Sequence, residues 1–230
     1  MMENNVIIRG DCMEVLKTVP DESVHLVVTD PPYGDNTGYG RNNRTIKGNS
    51  SPSIGLNAIQ ECYRTLKRNS TAYMFLDIKH LPIIRLFIEQ YTPFSIRDFV
   101  VWDKVNMGMG WGFRKRHELI AVLEKGKPTY NNLGIANVLN VKRVNAEEHP
   151  HKKPVELIET LILQSSRTGE TVLDPFVGAG TTCLAAQNLG RKFVGIELDK
   201  TYFHLAKARI QESPCVAPSQ KAERKREWSS

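Results

Sequence analysis

Short runs of apolar and β-branched residues alternate along this chain with stretches in which apolar residues recur at helical spacing. Runs of the first kind predict buried strands, and the second pattern predicts amphipathic helices. We predict strands at residues 6–9, 24–29, 71–76, 96–102, 117–123, 170–173 and 192–196. We predict helices at residues 13–19, 54–68, 81–91, 155–163, 181–189 and 201–210. Strands that alternate with helices indicate an α/β fold, with a mostly parallel twisted sheet, one antiparallel hairpin and helices on both faces.

Two loops between these elements have compositions that suit contact with DNA. Residues 34–55 are rich in Gly, Asn and Ser, and after Asp35 their charged residues are all positive: Arg41, Arg44 and Lys47. We interpret this long loop as DNA-facing, with a solvated linker as the alternative. Residues 103–116 are rich in glycine and carry aromatic and basic residues, including Trp111, Arg114, Lys115 and Arg116. Such residues can contact phosphates and fill the space of an unstacked base, and a plain hairpin loop is the alternative.

No change of composition is wide enough to mark a domain boundary, so we expect one domain over residues 1–212. Residues 126–148 are polar and irregular and include the basic pair Lys142 and Arg143. Residues 213–230 are rich in Pro, Ser and charged residues without apolar periodicity, which predicts a disordered basic tail.

The composition of the chain indicates which class of partner and which cellular compartment to expect. The chain of 230 residues has a net charge of +6, which suits a polyanionic partner such as nucleic acid, although a solvated basic surface has the same composition. No apolar run of about 18 residues and no N-terminal signal is evident, so we expect a cytoplasmic protein without a membrane segment.

Cysteine and histidine spacing argues against disulfides and metal sites. The four cysteines are scattered, at Cys12, Cys62, Cys183 and Cys215. Their spacing indicates a reducing cytosol and neither a disulfide framework nor a zinc knuckle. His149 and His151 have no cysteine or carboxylate arrangement nearby, so we predict that they bind no metal.

The predicted strand at residues 24–29 ends on the sequence Asp30-Pro31-Pro32-Tyr33. Ligands of open α/β sheets bind beyond the carboxyl ends of the strands, so these residues would face a ligand crevice. Proline fixes φ and restricts the residue before it, which sets the directions of the carbonyl groups. A carboxylate, a rigid carbonyl and an aromatic ring on one stiff turn suit a planar base that carries an amino group. The alternative is a strand end with a capping Asp and a packed Tyr.

A second motif joins the predicted strand at residues 170–173 to the next helix. Asp174 begins a tight turn that contains Gly178 and Gly180, and Glu197 follows 17 residues later. This distance is close to the spacing of about 20 residues at which an acid binds a ribose diol. Cys183 replaces the third glycine of a dinucleotide motif, and an acid beside the turn would repel a diphosphate. Both features favour a nucleoside without phosphates, and S-adenosylmethionine has a ribose diol, an ammonium group and no phosphate.

Together, Asp30-Pro-Pro-Tyr33 and residues 174–182 resemble the motifs of the amino-group DNA methyltransferases of the β arrangement. In that family the catalytic motif precedes the cofactor motif, which implies a circularly permuted Rossmann-like fold. Lesser motifs of the family match residues 10–12, 102–104, 116–118, 149–154 and 195–197, and the resemblance extends over residues 6–210.

The resemblance implies a role for individual residues. Asp30 and the Pro31 carbonyl, on the turn with Pro32, would accept hydrogen bonds from the target amine, and Tyr33 would stack on the base. Glu197 would bind the ribose hydroxyls of S-adenosylmethionine, and Lys153 would lie near its carboxylate. The other expected cofactor contacts are Asp11 and Cys12 at the adenine, and Asp30, Asp174, Phe176, Gly178, Ala179, Gly180, Thr181, Thr182 and Leu198.

The resemblance also implies a partner, double-stranded DNA from which the target base is flipped. The expected DNA contacts are Arg41, Arg44, Lys47, Trp111, Arg114, Lys115, Arg116, Lys142 and Arg143. Residues 126–148 would form a minimal recognition region, shorter than the usual insert of the family. A homodimer, a cognate restriction endonuclease and a bacterial, archaeal or phage source are further expectations.

The first residue of the Asp-Pro-Pro-Tyr motif indicates which base is the substrate. In this family the Asp-Pro-Pro-Tyr form usually accompanies adenine N6, and a Ser in the first position accompanies cytosine N4, so Asp30 favours adenine. The alternatives are cytosine-N4 methylation, modification of RNA or protein, and a catalytically silent DNA-binding relative. A dinucleotide oxidoreductase is disfavoured by the missing third glycine.

Overall fold

A mixed sheet forms the centre of the computed structural model, which describes residues 4–32, 53–108, 112–144 and 153–213. In these residues the strands are β1 (Val6–Arg9), β2 (Val24–Thr29), β3 (Leu66–Leu76), β4 (Ser95–Asp103), β5 (His117–Lys125), β6 (Val138–Asn140), β7 (Thr171–Asp174) and β8 (Lys192–Glu197). The helices are α1 (Cys12–Leu16), α2 (Ser53–Thr65), α3 (Leu81–Tyr91), α4 (Val155–Ser165), α5 (Thr181–Asn188) and α6 (Lys200–Glu212).

The strand order is β1-β8-β7-β2-β3-β5-β4-β6, and every neighbouring pair is parallel except the two that involve β5. The prediction of a mostly parallel sheet with one antiparallel hairpin, β4–β5, is confirmed. Parallel strands bring their carboxyl ends to one edge of the sheet, where α/β proteins bind ligands. At this edge β2, β7 and β8 lie side by side in the middle of the sheet.

Helices cover both faces of the sheet, which explains why its central strands are apolar on both sides. In β2, Val24 and Val27 belong to one apolar cluster, whereas Leu26 and Val28 belong to the other. The first cluster includes buried residues of α1, α2 and α3, and the second includes those of α4, α5 and α6. The predicted α/β class with helices on both faces is confirmed.

The observed elements differ from the predicted ones at a few boundaries. Helix α1 ends at Leu16, and α2 passes directly into β3, so residues 66–68 are strand instead of helix. Cross-strand pairing between Val24 and Leu66 overrides the helical periodicity there. Helix α4 begins at Val155, as predicted, with Pro154 (ψ of 134°) as its N-cap, and it extends to Ser165.

Strand β6 was absent from the sequence prediction, which treated the region after β5 as irregular. It has only three residues, and two of them are exposed, so it has no apolar alternation to detect. Its existence depends on β4, since the two strands pair from Val101 and Val138 to Asp103 and Asn140.

Most of the predicted loop at residues 34–55 and nearly all of the tail at residues 213–230 lie outside the described residues, as do His149 and His151. Helix α2 begins at Ser53, inside the range predicted as loop. In the described part of the chain, every helix is too short or too polar to cross a bilayer.

Candidate active site

The two sequence motifs meet at the carboxyl edge of the sheet. Asp30 directly follows β2, and Asp174 ends the neighbouring parallel strand β7, with Leu26 paired to Val172 and Val27 to Leu173. The charge of Asp30 acts on the carboxyl group of Asp174 and raises its pKa. Glu197 ends β8, the next strand on the other side of β7. Three acids from distant parts of the sequence therefore line one edge.

The rigid turn after β2 is held in place by α2. Pro31 is buried, and Pro32 is half-buried. A Cβ atom at Gly55 of α2 would lie 2.8 Å from the Cβ of Pro31, so only glycine allows the helix to approach this closely. This contact fixes the backbone that carries Asp30 and the Pro31 carbonyl. Tyr33 lies outside the described residues, so its stacking role stays a prediction.

The glycine turn after β7 is closed by side chains at both ends. The amide of Phe176 donates to Asp174 Oδ1 (3.0 Å), and the amide of Gly178 donates to Glu197 Oε2 (2.7 Å). Gly178 and Gly180 have φ values of 52° and 82°, which favour glycine. Gly180 is the N-cap of α5.

Close packing beneath this turn uses a glycine from another strand. Cys183, which stands at the third glycine position, is buried, and a Cβ atom at Gly195 would lie 2.7 Å from its Sγ and 2.5 Å from Val177 Cγ2. The close approach of turn and sheet is therefore provided by Gly195 of β8. This explains how the turn forms without a third glycine of its own.

Burial favours the protonated form of Asp174 in the protein without a ligand. The pKa of Asp174 is raised to about 7, mainly by desolvation and further by the charges of Asp30 and Glu197. Hydrogen bonds from Thr182 and the Phe176 amide lower this pKa but do not cancel the increase. Burial likewise raises the pKa of Glu197. A cationic ligand group beside these acids would favour their ionised forms.

The ends of β1 and β8 lie side by side and bring further predicted residues to the site. The amide of Gly10 donates to the carbonyl of Glu197 (3.0 Å), so Asp11 and Cys12 lie next to Glu197 in the fold. Asp11 is the N-cap of α1 and accepts from the Met13 amide (2.8 Å), and its contact with the cofactor stays a prediction. Burial raises the pKa of Cys12 to about 11. The thiol is therefore uncharged near neutral pH and is not a nucleophile.

The remaining predicted cofactor residues lie around the glycine turn. Ala179, Thr181 and Thr182 are buried, whereas Leu198, which follows Glu197, is 47% exposed. Phe176 packs partly buried against the core cluster under α1 and α2. The exposed apolar side chain of Leu198 offers a surface to a ligand at this edge.

Lys153 forms ion pairs that the sequence did not predict, and its expected place near the cofactor carboxylate stays a prediction. Its Nζ lies 2.6 Å from Asp30 Oδ2 and 3.2 Å from Glu118 Oε2. Glu118 lies at the start of β5 and also contacts Lys104 Nζ at 2.5 Å. Sequence reasoning matched Glu118 only as part of a lesser motif and gave it no role, because nothing local shows that it meets Lys153.

The basic residues of the β4–β5 loop contact acceptors in this loop, at the end of β4 and in the loop after β3. Arg116 forms two hydrogen bonds with Asp103 (2.7 and 2.8 Å), Lys115 contacts Asp77 Oδ2 (3.3 Å), and Arg114 Nε donates to the carbonyl of Gly108 (2.7 Å). Phe113, beside them, is fully exposed. The loop leaves the sheet at the same edge as Asp30, since β4 is parallel to β2 and β3 in orientation.

The other predicted DNA contacts divide into two groups. Lys142 and Arg143 are exposed and follow the carboxyl end of β6, so they lie at the edge that carries the acids. The rest lie outside the described residues: Arg41, Arg44, Lys47 and Trp111.

Comparison with known proteins identifies the family. A family model described as DNA methylase matches residues 24–208. The chain belongs to this DNA methylase family. The match includes the three strand ends that carry Asp30, Asp174 and Glu197. It confirms the resemblance found in the sequence. The chain is therefore a methyltransferase that acts on DNA.

Relatives of this DNA methylase match it over most of their length. It is 30% identical to the type II methyltransferase M.HpaI of Haemophilus parainfluenzae, over 89% of this chain and 73% of the relative. It is 29% identical to the DNA adenine methyltransferase YhdJ of Escherichia coli (strain K12), over 90% of this chain and 83% of the relative. The crystal structure of the M1.HpyAVI–SAM complex superposes with a TM-score of 0.70 and 26% identity, over 89% of this chain and 98% of that chain.

Proposed function

We propose that this DNA methylase transfers a methyl group from S-adenosylmethionine to the N6 nitrogen of an adenine flipped out of double-stranded DNA. The observation that carries the proposal is the position of Asp30, which lies beside Asp174 and the glycine turn on neighbouring parallel strands. The choice of adenine is supported by the Asp-Pro-Pro-Tyr string and by the relative YhdJ, named as a DNA adenine methyltransferase.

The described residues fit S-adenosylmethionine, which, when bound, supplies an electrophilic methyl group on a sulfonium. A carboxylate offers about four acceptor positions, and Glu197 uses two of them for the amides of Gly178 and Asp199. The others can accept from ribose hydroxyls. Asp174 has a raised pKa that an ammonium group would lower again. Cys12 and Leu198 provide neutral surfaces for the adenine ring of the cofactor.

Asp30 and the carbonyl of Pro31 supply the chemistry at the target amine. The nitrogen of an exocyclic amine is a weak nucleophile because its lone pair is conjugated with the ring. Two acceptors that hold its hydrogens favour a more tetrahedral nitrogen and stabilise the positive charge that develops on it. Their rigid placement after β2 also orients the nitrogen, which replaces a bimolecular encounter. No covalent intermediate with the protein is needed.

The target base must leave the duplex to reach Asp30. Unstacking and unpairing a base costs a few kcal/mol. Contacts between basic side chains and DNA phosphates offset this cost and position the duplex without reading its sequence. Among the described residues, Arg114, Lys115 and Arg116 of the β4–β5 loop and Lys142 and Arg143 after β6 are exposed at the site edge and can make such contacts.

The test is to incubate the protein with methyl-labelled S-adenosylmethionine and unmethylated DNA, and then to digest the DNA to nucleosides. We expect labelled 6-methyladenine. Labelled 4-methylcytosine would support the cytosine alternative, and no label at any protein concentration would support a silent DNA-binding relative. Asp30→Ala should abolish transfer while calorimetry still detects cofactor binding, and equal loss of both would mean that Asp30 is structural.

We also infer one catalytic domain over residues 1–212, which acts on the DNA of a bacterial, archaeal or phage host. The short segment at residues 126–148 supports a homodimer, because a second subunit would add basic surface for DNA. Light scattering of the protein with and without DNA tests this. A cognate restriction endonuclease is supported by the type II relative M.HpaI, and an endonuclease blocked by the methylation would identify it.

A further inference from the structure

Four side chains of alternating charge form a continuous chain that ends at Asp30. Lys104 contacts Glu118 at 2.5 Å, Glu118 contacts Lys153 at 3.2 Å, and Lys153 contacts Asp30 at 2.6 Å. The side chain of Lys153 is only 12% exposed, and its Nζ also lies 4.8 Å from the ring centroid of Phe75. The four residues come from β5, from the loop after β4, and from the segments before α4 and after β2.

The charges in this chain depend on one another. Burial alone would lower the pKa of Lys153, but Asp30 and then Glu118 outweigh it and raise that pKa. Burial alone would raise the pKa of Glu118, but Lys153 and then Lys104 outweigh it and lower that pKa to about 2. A buried charge of this kind persists only if it is paired. Lys153 therefore stays cationic because two carboxylates share it.

The sharing matters for the reaction at Asp30. A lysine that contacted this carboxylate alone would weaken the negative potential that stabilises a cationic amine. Glu118 draws part of the interaction of Lys153 to itself and adds its own negative charge nearby. Asp30 is then held in place by Lys153 and remains a strong acceptor.

We propose that Glu118 is a positioning residue for methyl transfer, which acts through Lys153 to set the orientation of Asp30 and its strength as an acceptor. This rests on the proposed function, because it assigns Asp30 as the acceptor of the target amine. Among the described residues, the charged groups near Asp30 include Lys153 beside it, Glu118 on β5 behind that lysine, and Asp174 on β7.

Glu118→Gln should change the rate of methyl transfer and leave cofactor binding intact. Without the negative charge of Glu118, Lys153 interacts with Asp30 alone, so Asp30 stabilises the developing positive charge of the target amine less well. A merely structural role would lower the rate and the cofactor affinity together.

The experiment is single-turnover methyl transfer to duplex DNA at saturating S-adenosylmethionine, measured at about pH 8, above the pKa of about 7 of Asp174. We expect Glu118→Gln to lower the plateau rate about tenfold, less than the ~10²–10³ of a group that touches the reacting atoms. Its affinity for S-adenosylmethionine should be unchanged, and Glu118→Asp should recover part of the rate. Glu124→Gln is the matched control, because Glu124 lies on the same strand, accepts from Tyr130 (2.8 Å) and is remote from Asp30.

Each outcome decides the inference. A wild-type rate in Glu118→Gln, a loss of cofactor affinity as large as the loss of rate, or the same loss of rate in Glu124→Gln would overturn it while leaving the proposed function intact. Failure of the wild-type protein to label adenine would instead overturn the proposed function. If Glu118→Gln does not fold, Glu118→Asp provides the test, because its shorter side chain weakens the contact of 3.2 Å with Lys153. Its rate should fall without a change in cofactor affinity, and a wild-type rate would overturn the inference.

Discussion

The carboxylate of Glu197 accepts a hydrogen bond of 2.7 Å from the amide of Gly178, which joins the end of β8 to the glycine turn after β7. Its other oxygen accepts from the amide of Asp199 (2.8 Å). Glu197 is thus oriented by the backbone on both sides before any ligand arrives. An acid held in this way loses little freedom when it binds a diol.

Glu197→Ala should weaken the affinity for S-adenosylmethionine by about tenfold or more, because hydrogen bonds to a charged group contribute about 1.5–3 kcal/mol. Isothermal titration calorimetry measures this. Glu212→Ala, which removes an exposed acid at the end of α6, is the control and should bind normally. Unchanged affinity in Glu197→Ala would remove the ribose assignment.

Cofactor affinity should increase as pH rises through about 7. Burial raises the pKa of Asp174 to about 7, and the cofactor ammonium prefers the ionised carboxylate, so binding below pH 7 must release a proton. Calorimetry at pH 6 in buffers of different ionisation enthalpy measures the proton released, which we expect to approach one. Asp174→Asn should abolish the release, and its persistence would assign the proton to another group.

The same group should make the ligand-free protein less stable as pH rises between about 4 and 7. The folded pKa of Asp174 lies above its ordinary value of 3.8, so in this range the native state holds a proton that the unfolded state has lost. Stability falls with pH wherever the native state binds more protons. Urea unfolding of the wild type and Asp174→Asn, compared at pH 5 and pH 7, isolates this contribution.

Gly180→Ala should destabilise the protein more than Gly169→Ala, although both glycines have φ of 82°. A Cβ at Gly180 would lie 2.9 Å from Ala206 Cβ and 3.0 Å from Ala206 Cα, whereas at Gly169 nothing lies within 4 Å. We expect about 1–2 kcal/mol from the backbone alone at Gly169, and a further 1–3 kcal/mol, roughly, from overpacking at Gly180. Urea unfolding measures the loss of stability in both variants. Equal losses would show that Ala206 moves to accommodate the added Cβ atom.

Removing Lys142 and Arg143 together should weaken DNA binding for all sequences alike. If each contacts a phosphate, the slope of log K against log salt concentration should become shallower by about 2. Fluorescence anisotropy with a labelled duplex measures it. The charge-matched control is Arg167→Ala with Lys192→Ala, since both residues are exposed and lie at the amino ends of β7 and β8. An equal change in that control would mean that net charge alone is responsible.

The sequence by itself determined the elements that depend on local chemistry. A continuous β-branched run predicted β2 because this strand is buried on both faces, and an apolar period of 3.6 predicted α4 because this helix buries one face. The string at Asp30 and the glycine turn at Gly178 were recognisable because prolines, glycines and acids restrict the backbone where they stand. The predicted order of strands and helices was confirmed, apart from β6 and a few boundaries.

Only the tertiary structure decided which of these residues meet. The ion pairs that join Lys153 to Asp30 and Glu118 depend on strand order, on the antiparallel direction of β5 and on the start of α4. Strand β6 exists because β4 offers it a partner. No residue encodes such contacts locally, since the free energy of a buried ion pair depends on groups brought together from distant parts of the chain.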